Sequence, residues 1–160
     1  MVKVVDILAG YEISYNGAID IKELQALIRR WCKKNHFDLI EKVYDIKMIE
    51  NGRNGIMKWE ADKKLDDYNQ IVVKPDIILT NCKEVKVDGK RILEGDVKVK
   101  IGAELNRDYD EAWKGKPMKR FLRGFFDKFF APEKVDRARE ELKKSAKLLR
   151  DEVKRYFDAD

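Results

Sequence analysis

The stretch APEKVDRAREELKKSAKLLRDEVKRYF, residues 131–157, carries the pattern that decides the fold of this chain. Its apolar side chains recur at spacings of three and four, which places them on one face of a helix. These are Val135, Ala138, Leu142, Ala146, Leu149, Val153 and Phe157. Acid-before-base pairs at Glu133/Arg137, Glu140/Lys144 and Asp151/Arg155 support the same helix. We therefore expect a long amphipathic helix that needs an apolar surface to lie on.

A surface of that kind is predicted by strict alternation in residues 96–108. One face would carry Val97, Val99, Ile101, Ala103 and Leu105, and the other Lys98, Lys100, Glu104 and Asn106. The same period of two appears in residues 57–62, with Met57, Trp59 and Ala61 on the apolar side, and in residues 44–48. Such alternation is typical of antiparallel strands with one covered and one wet face. Asn-Gly pairs in residues 51–55, the DDYN stretch at 66–69 and Asp88-Gly89-Lys90 predict the turns.

Three local signals predict irregularities or ends of strands in this sheet. Pro75 interrupts a long extended run and predicts an edge, a bulge or a break, because proline cannot donate to a strand ladder. Glu94-Gly95 predicts a bulge, and Asn16-Gly17 is expected to end the N-terminal strand region.

A helix is predicted from Asp20 to about Lys34, with Asp20 as its cap and Asn35 as a left-handed exit.

The predicted fold class is α+β. It comprises one curved antiparallel sheet, a short N-terminal helix, a basic-aromatic helix and a long C-terminal helix packed on the sheet. No linker divides residues 1–160, which we interpret as a single domain. The order of elements across roughly residues 11–157 resembles the helix-grip arrangement of the START and pollen-allergen-like superfamily. That resemblance implies a hydrophobic ligand held between sheet and C-terminal helix, and some members are enzymes. The chain departs from it by one helix after the first strand, where a pair is usual, and by an extra helix over 117–130.

The basic-aromatic stretch KGKPMKRFLRGFFDKFF, residues 114–130, holds the whole net charge of +5, because the rest of the chain is balanced. Its cations are Lys114, Lys116, Lys119, Arg120, Arg123 and Lys128. The aromatic stripe includes Phe121, Phe125 and Phe129. One interpretation is that the rings close the core while the cations remain outside as a patch. The other is a contact with an anionic membrane surface or an acidic protein, with the rings as apolar contacts. Nucleic acid is disfavoured, since the aromatics segregate from the cations.

No catalytic, cofactor or metal site is predicted. His36 is the only histidine, and pairing with Cys32 one turn earlier would require the helix to continue past Asn35. Asp62, Asp66 and Asp67 near a turn are interpreted as solvated rather than metal ligands. Cys32 and Cys82 are expected to be reduced thiols, which with the lack of a leader or membrane span predicts a cytoplasmic, or peripherally membrane-bound, protein.

These patterns favour a non-enzymatic binding protein. It would hold a hydrophobic small molecule between sheet and C-terminal helix, or contact an anionic surface through residues 114–130. The alternatives are a helix-grip enzyme with acids in its cavity and a basic interaction module for acidic protein or nucleic acid.

Overall fold

The computed structural model describes residues 4–50, 52–66, 69–107 and 131–158. The strands are β1 (Val4–Ile19), β2 (Asp38–Ile49), β3 (Gly52–Lys64), β4 (Asn69–Val87) and β5 (Lys90–Arg107). The helices are α1 (Ile21–Lys34) and α2 (Ala131–Asp158). All strand pairs are antiparallel, and the order across the sheet is β1-β5-β4-β3-β2. The α+β class is therefore confirmed, whereas the basic-aromatic helix predicted within 114–130 falls outside the described residues.

Helix α2 lies on the sheet with the predicted stripe facing inward. All seven stripe residues are buried, and the helix contacts β1, β4, β5 and α1. The ring of Phe157 stacks on that of Tyr15 with centroids 4.9 Å apart, which anchors the end of the helix on β1. Because burying a leucine-sized side chain contributes about 1.5–3 kcal/mol, the stripe is a major source of stability.

The inner face of the sheet follows the predicted alternation. Its buried residues are Met57, Trp59, Ala61, Ile71, Val73, Ile77, Leu79, Val97, Val99, Ile101, Ala103 and Leu105. On the outer face, Asn106 was expected to be exposed but retains only 8% of its surface. Its side-chain amide donates to Gln70 Oε1 at 3.2 Å, so a neighbouring polar side chain covers it. Asn106 therefore lies on the predicted face of the sheet but is buried there rather than exposed to solvent.

Two predicted boundaries also move. Strand β1 continues past Asn16-Gly17 to Ile19, because these residues pair with Asp96 and Gly95 of β5. The left-handed exit of α1 lies at His36, with φ 63°, and not at Asn35, whose φ is −98°. In both cases a hydrogen-bonding partner sets the backbone conformation. Pairing with β5 keeps Asn16-Gly17 extended, and a bond from Phe37 N to Cys32 O at 2.8 Å closes the turn at the end of α1.

Pro75 lies in β4, the central strand of the sheet, and not at an edge. Its partner on β5 is Ile101, while pairing with β3 stops at Lys58–Asp76 and resumes at Ala61–Val73 in the same register. Proline is tolerated there because the ladder on one side is locally interrupted. Of the three predicted alternatives, an edge, a bulge or a break, the structure shows a break in the pairing with β3.

The bulge near Gly95 has its extra residue on the opposite strand. Asn81 and Cys82 of β4 stand together opposite Gly95, between the pairs Thr80–Asp96 and Lys83–Glu94. A Cβ at position 95 would lie 2.8 Å from Asn81 O and from Cys82 Cα. Only glycine therefore fits against this bulge without a shift of backbone.

The ends of the two helices are joined. Asp20 Oδ1 accepts from the backbone amides of Lys22 at 3.1 Å and Glu23 at 3.3 Å, which confirms the predicted cap of α1. The hydroxyl of Tyr156, in the last turns of α2, donates to the carbonyl oxygen of Asp20 at 3.0 Å. Together these bonds fix where α1 begins relative to α2.

Candidate functional site

The contact residues predicted within 114–130 all lie outside the described residues. These are the six cations from Lys114 to Lys128 and the rings of Phe121, Phe125 and Phe129. The choice between a core and a surface position for those rings therefore stays a prediction.

The interface between α2 and the sheet, where a ligand was expected, is filled by side chains. Met57, Ile77, Leu142 and Leu149 each have a relative exposure of 0%. A ligand held against the middle of α2 would have to displace such side chains, at a cost of several kcal/mol in lost packing. Open space on the inner face lies away from the middle of α2.

A groove of about 290 Å³ opens on that face where α1 begins, between the second half of β2 and the β4–β5 hairpin. We call it the hairpin groove. It is lined by Asp20, Ile21, Lys22, Tyr44, Ile46, Arg53, Glu84, Arg91, Ile92 and Leu93. Half of these side chains are apolar or aromatic and the others are charged, so the groove combines an apolar surface with charged groups.

Strand register explains why space remains there. Beyond an irregularity between Glu41 and Val43, Tyr44 pairs with Met57 and Ile46 pairs with Gly55, which places both side chains on the inner face. A Cβ at Gly55 would lie 3.2 Å from Ile46 Cγ1, so glycine leaves room for this isoleucine. Tyr44 nevertheless remains 59% exposed.

The charged side of the groove is dominated by two arginines that share one carboxylate. Arg53 Nη2 lies 2.8 Å from Glu84 Oε2, and Arg91 Nε lies 3.4 Å from Glu84 Oε1. Two guanidinium groups against one acid leave one positive charge in excess and several N–H donors unused. Lys22 adds a third cation, while the Asp20 carboxylate is engaged by the amides of α1.

The groups that sequence reasoning weighed for catalysis are not brought together. Burial raises the pKa of the Cys32 thiol to about 12, and His36 is exposed, so an activated thiol–imidazole pair is not formed. Burial also raises the pKa of the Cys82 thiol. Both cysteines are free, as expected.

Of the aspartates considered as cation ligands, Asp66 is used within its own turn, and Asp67 lies outside the described residues. Asp66 Oδ1 accepts from the backbone amide of Asn69 at 2.7 Å, and Oδ2 accepts from its side-chain amide at 3.2 Å. Across residues 4–50, 52–66, 69–107 and 131–158, no group of three or more His, Cys, Asp or Glu side chains is arranged to hold a metal ion.

A separate charge network crosses the outer face of the sheet. Lys74 Nζ lies 2.7 Å from Glu104 Oε1 and 3.6 Å from Glu60 Oε1, and the first of these bonds is the main reason that the pKa of Lys74 is raised. Burial raises the pKa of Asp76 against the opposing effect of Lys58, Lys74 and Lys100. We interpret this network as cross-strand support for the outer face of the sheet.

No protein-family model matches the chain, and no curated protein matches its sequence. Within the part of the chain that the structure describes, no helix has the length and apolar character needed to cross a membrane.

Sequence reasoning missed the hairpin groove. Arg53, Glu84 and Arg91 come from three different strands, and their meeting depends on the register of the β4–β5 hairpin. The available signal was the Asp88-Gly89 turn, where both residues have positive φ as a two-residue hairpin of this kind requires. Counting back from that turn pairs Glu84 with Leu93 and Lys86 with Arg91, which brings Arg91 to the strand end that holds Glu84.

Proposed function

We propose that the chain is a non-enzymatic binding protein of helix-grip type, which holds a small amphiphilic ligand with an anionic end in the hairpin groove. The observation that carries this proposal is the pair of arginines sharing Glu84 beside an apolar surface formed by Ile21, Tyr44 and Ile46. The position of α2 across the sheet supports the helix-grip comparison.

The chemistry of the ligand follows from the lining. A volume of about 290 Å³ is at the lower end of small-molecule sites, so a short alkyl chain or one ring system fits better than a large lipid. Its anionic end would accept from Arg53 or Arg91, since each guanidinium has donors beyond those that Glu84 uses. Its apolar part would cover Tyr44, which is otherwise exposed.

The groove favours binding over catalysis. Its two acids are both engaged, Asp20 as a helix cap and Glu84 with the arginines. A general acid or base needs a carboxyl that is free to exchange protons with a ligand. The alternative of a helix-grip enzyme with cavity acids therefore has no candidate residue in this groove.

Methyl NMR tests the proposal directly. With isoleucine methyl groups labelled, sodium octanoate should shift the signals of Ile21, Ile46 and Ile92, while octylammonium should not. Arg91→Glu should weaken octanoate binding about fivefold, the effect of roughly 1 kcal/mol. The matched control is Arg155→Glu, a similarly exposed arginine on α2, which should leave binding unchanged. Unmoved groove methyls, or equal binding of the two amphiphiles, would reject the proposal.

A second candidate function is contact with an anionic membrane surface or acidic protein through residues 114–130, and the confinement of the net charge to that stretch favours it. Sedimentation with anionic and neutral vesicles tests this contact. Binding to anionic vesicles alone, abolished by Lys119→Glu/Arg123→Glu but not by Lys154→Glu/Arg155→Glu on α2, is the expected result. Sedimentation with neither kind of vesicle would remove the membrane form of the idea.

A further inference from the structure

The apolar surface that the described residues expose is concentrated on one strand. Among residues 10–50, 52–66, 69–106 and 133–158, six large apolar side chains are exposed, and four of them lie on β2. These four are Ile40, Val43, Tyr44 and Met48, with Met48 at 74% the most exposed. Scattered apolar residues on a surface need no explanation, but a run along a single strand does.

Strand β2 is also an edge of the sheet. Among the described residues it pairs with β3 alone, so one side of this 12-residue strand presents backbone donors and acceptors that β3 does not use. An edge of this kind is a template for another strand. On the opposite edge strand, β1, the outward side chains between residues 10 and 17 differ, because Glu12, Ser14 and Asn16 are polar.

We propose that β2 pairs antiparallel with β2 of a second copy of this chain, with Ile46 opposite the partner's Ile46 on a two-fold axis. Antiparallel pairing keeps the sum of paired residue numbers constant, so this register fixes every other pair. Tyr44 stands opposite the partner's Met48, Asp45 opposite the partner's Lys47, and Val43 opposite the partner's Ile49.

Each of these pairs is complementary. Tyr44 and Met48 share the inner face and form an aromatic–sulfur contact, Val43 and Ile49 form an apolar pair, and Asp45 meets a lysine. Asp45 Oδ2 already lies 3.8 Å from Lys47 Nζ within one chain, so the axis would gather two acids and two lysines. Each of these three contacts lies off the two-fold axis and therefore occurs twice, which doubles its contribution.

Neighbouring registers lack this complementarity. Centring the axis on Asp45 places two aspartates face to face, and centring it on Lys47 does the same with two lysines. Like charges directly opposite each other are destabilising. Centring on Tyr44 puts Val43 opposite an aspartate, so the charge and apolar patterns of β2 select Ile46.

The irregularity between Glu41 and Val43 lies just outside the paired segment, so residues 43–49 offer one regular stretch. Seven paired residues extend about 24 Å, which gives an interface at the small end of specific contacts. We therefore expect a dimer that dissociates on dilution rather than a permanent one.

Charge exchange tests the register. Sedimentation velocity from the low micromolar to the millimolar range should show a monomer–dimer equilibrium for the native chain. Asp45→Lys and Lys47→Asp should each weaken self-association about tenfold or more, because like charges then face each other. An equimolar mixture of the two variants should recover a dimer, since each supplies the charge that the other lacks. A native chain that stays monomeric throughout this range, or a mixture that does not associate, would overturn the proposal.

Apolar substitution provides a matched control. Met48→Lys should lower the fraction of dimer. Leu148→Lys on α2 replaces another exposed apolar side chain, with a relative exposure of 42%, and should leave that fraction unchanged. Equal effects of the two changes would mean that the association does not use β2.

Cross-linking locates the axis. Opposed residues of antiparallel strands have Cα atoms about 4.5–5.5 Å apart, within disulfide range. Ile46→Cys should therefore form a covalent dimer under mild oxidation, while Cys32 and Cys82 stay buried and unreactive. Ser14→Cys on β1 should give none. A covalent dimer from Ser14→Cys but not from Ile46→Cys would place the contact on β1 instead of β2 and overturn the proposal.

Discussion

Strands β2 and β3 are neighbours with the same alternating pattern, yet the inner-face side chains of β3 are buried and those of β2 are exposed. Met57, Trp59 and Ala61 on β3 are 0–2% exposed, whereas Tyr44 and Met48 on the same face of β2 are 59% and 74% exposed. Strand β3 has strands on both sides, while β2 lies at the edge. The comparison teaches that alternation specifies which face a side chain takes, and that position in the sheet decides whether this face is covered.

The first prediction tests the covered half of the sheet. Leu142→Ala removes a fully buried side chain from the middle of α2. We expect a loss of about 3 kcal/mol in the free energy of unfolding, because burial is lost and a cavity remains. Urea unfolding followed by circular dichroism measures this. A loss below about 1 kcal/mol would show that α2 packs less tightly than its burial indicates.

The second prediction tests the close approach of β4 and β5. Gly95→Ala should cost about 2 kcal/mol, because the new Cβ meets backbone atoms of Asn81 and Cys82 at 2.8 Å. Gly102→Ala on the same strand is the control, since its nearest neighbour there, Lys74 Cβ, is 3.6 Å away. Similar losses for the two variants would place the cost in backbone flexibility and not in the bulge.

The third prediction uses pH to probe the buried thiol of Cys32. Below pH 9.0, the ordinary value, the thiol is protonated in both folded and unfolded chains. Between pH 9.0 and about 12 only the unfolded chain loses this proton, so stability falls as pH rises. Cys32→Ala should therefore lose less stability than the native chain between neutral pH and pH 10.5, measured by urea unfolding. Parallel curves for the two proteins would contradict the predicted burial effect.

The smallest effect on the free energy of unfolding is expected for a substitution on the exposed strand β2. Met48→Ala should change the free energy of unfolding by less than about 0.5 kcal/mol at low protein concentration, because its side chain has little packing to lose. The same substitution should matter only where the chain self-associates. A loss as large as that of Leu142→Ala would mean that β2 is covered in the monomer, and the contrast between the two halves would fail.

Much of this fold could be predicted from local pattern. The stripe of α2, the cap at Asp20 and the inward faces of β3 and β5 were all predicted correctly, because each depends on residues close in sequence. The hairpin around Asp88-Gly89 followed from turn chemistry in the same way.

The errors arose where a distant strand decides the outcome. Asn16-Gly17 has the composition of a turn but continues β1 because β5 pairs with it, and Asn106 is covered by Gln70 from β4. The exposure of Tyr44 and the meeting of Arg53, Glu84 and Arg91 depend on strand order and register. Neither quantity is encoded in a local window of sequence.

The order of strands also has a consequence for how the chain acquires its structure. Within the described residues β1 pairs with β5 alone, and Val4 stands opposite Arg107. The backbone hydrogen bonds of the first strand therefore cannot form before the last strand is present. Such distant pairing lowers the folding rate, because the chain loses the entropy of a large loop before the stabilising contacts between the two strands can form. During synthesis on the ribosome, the β2–β3–β4 meander can assemble early, whereas β1 stays without its partner until β5 has emerged.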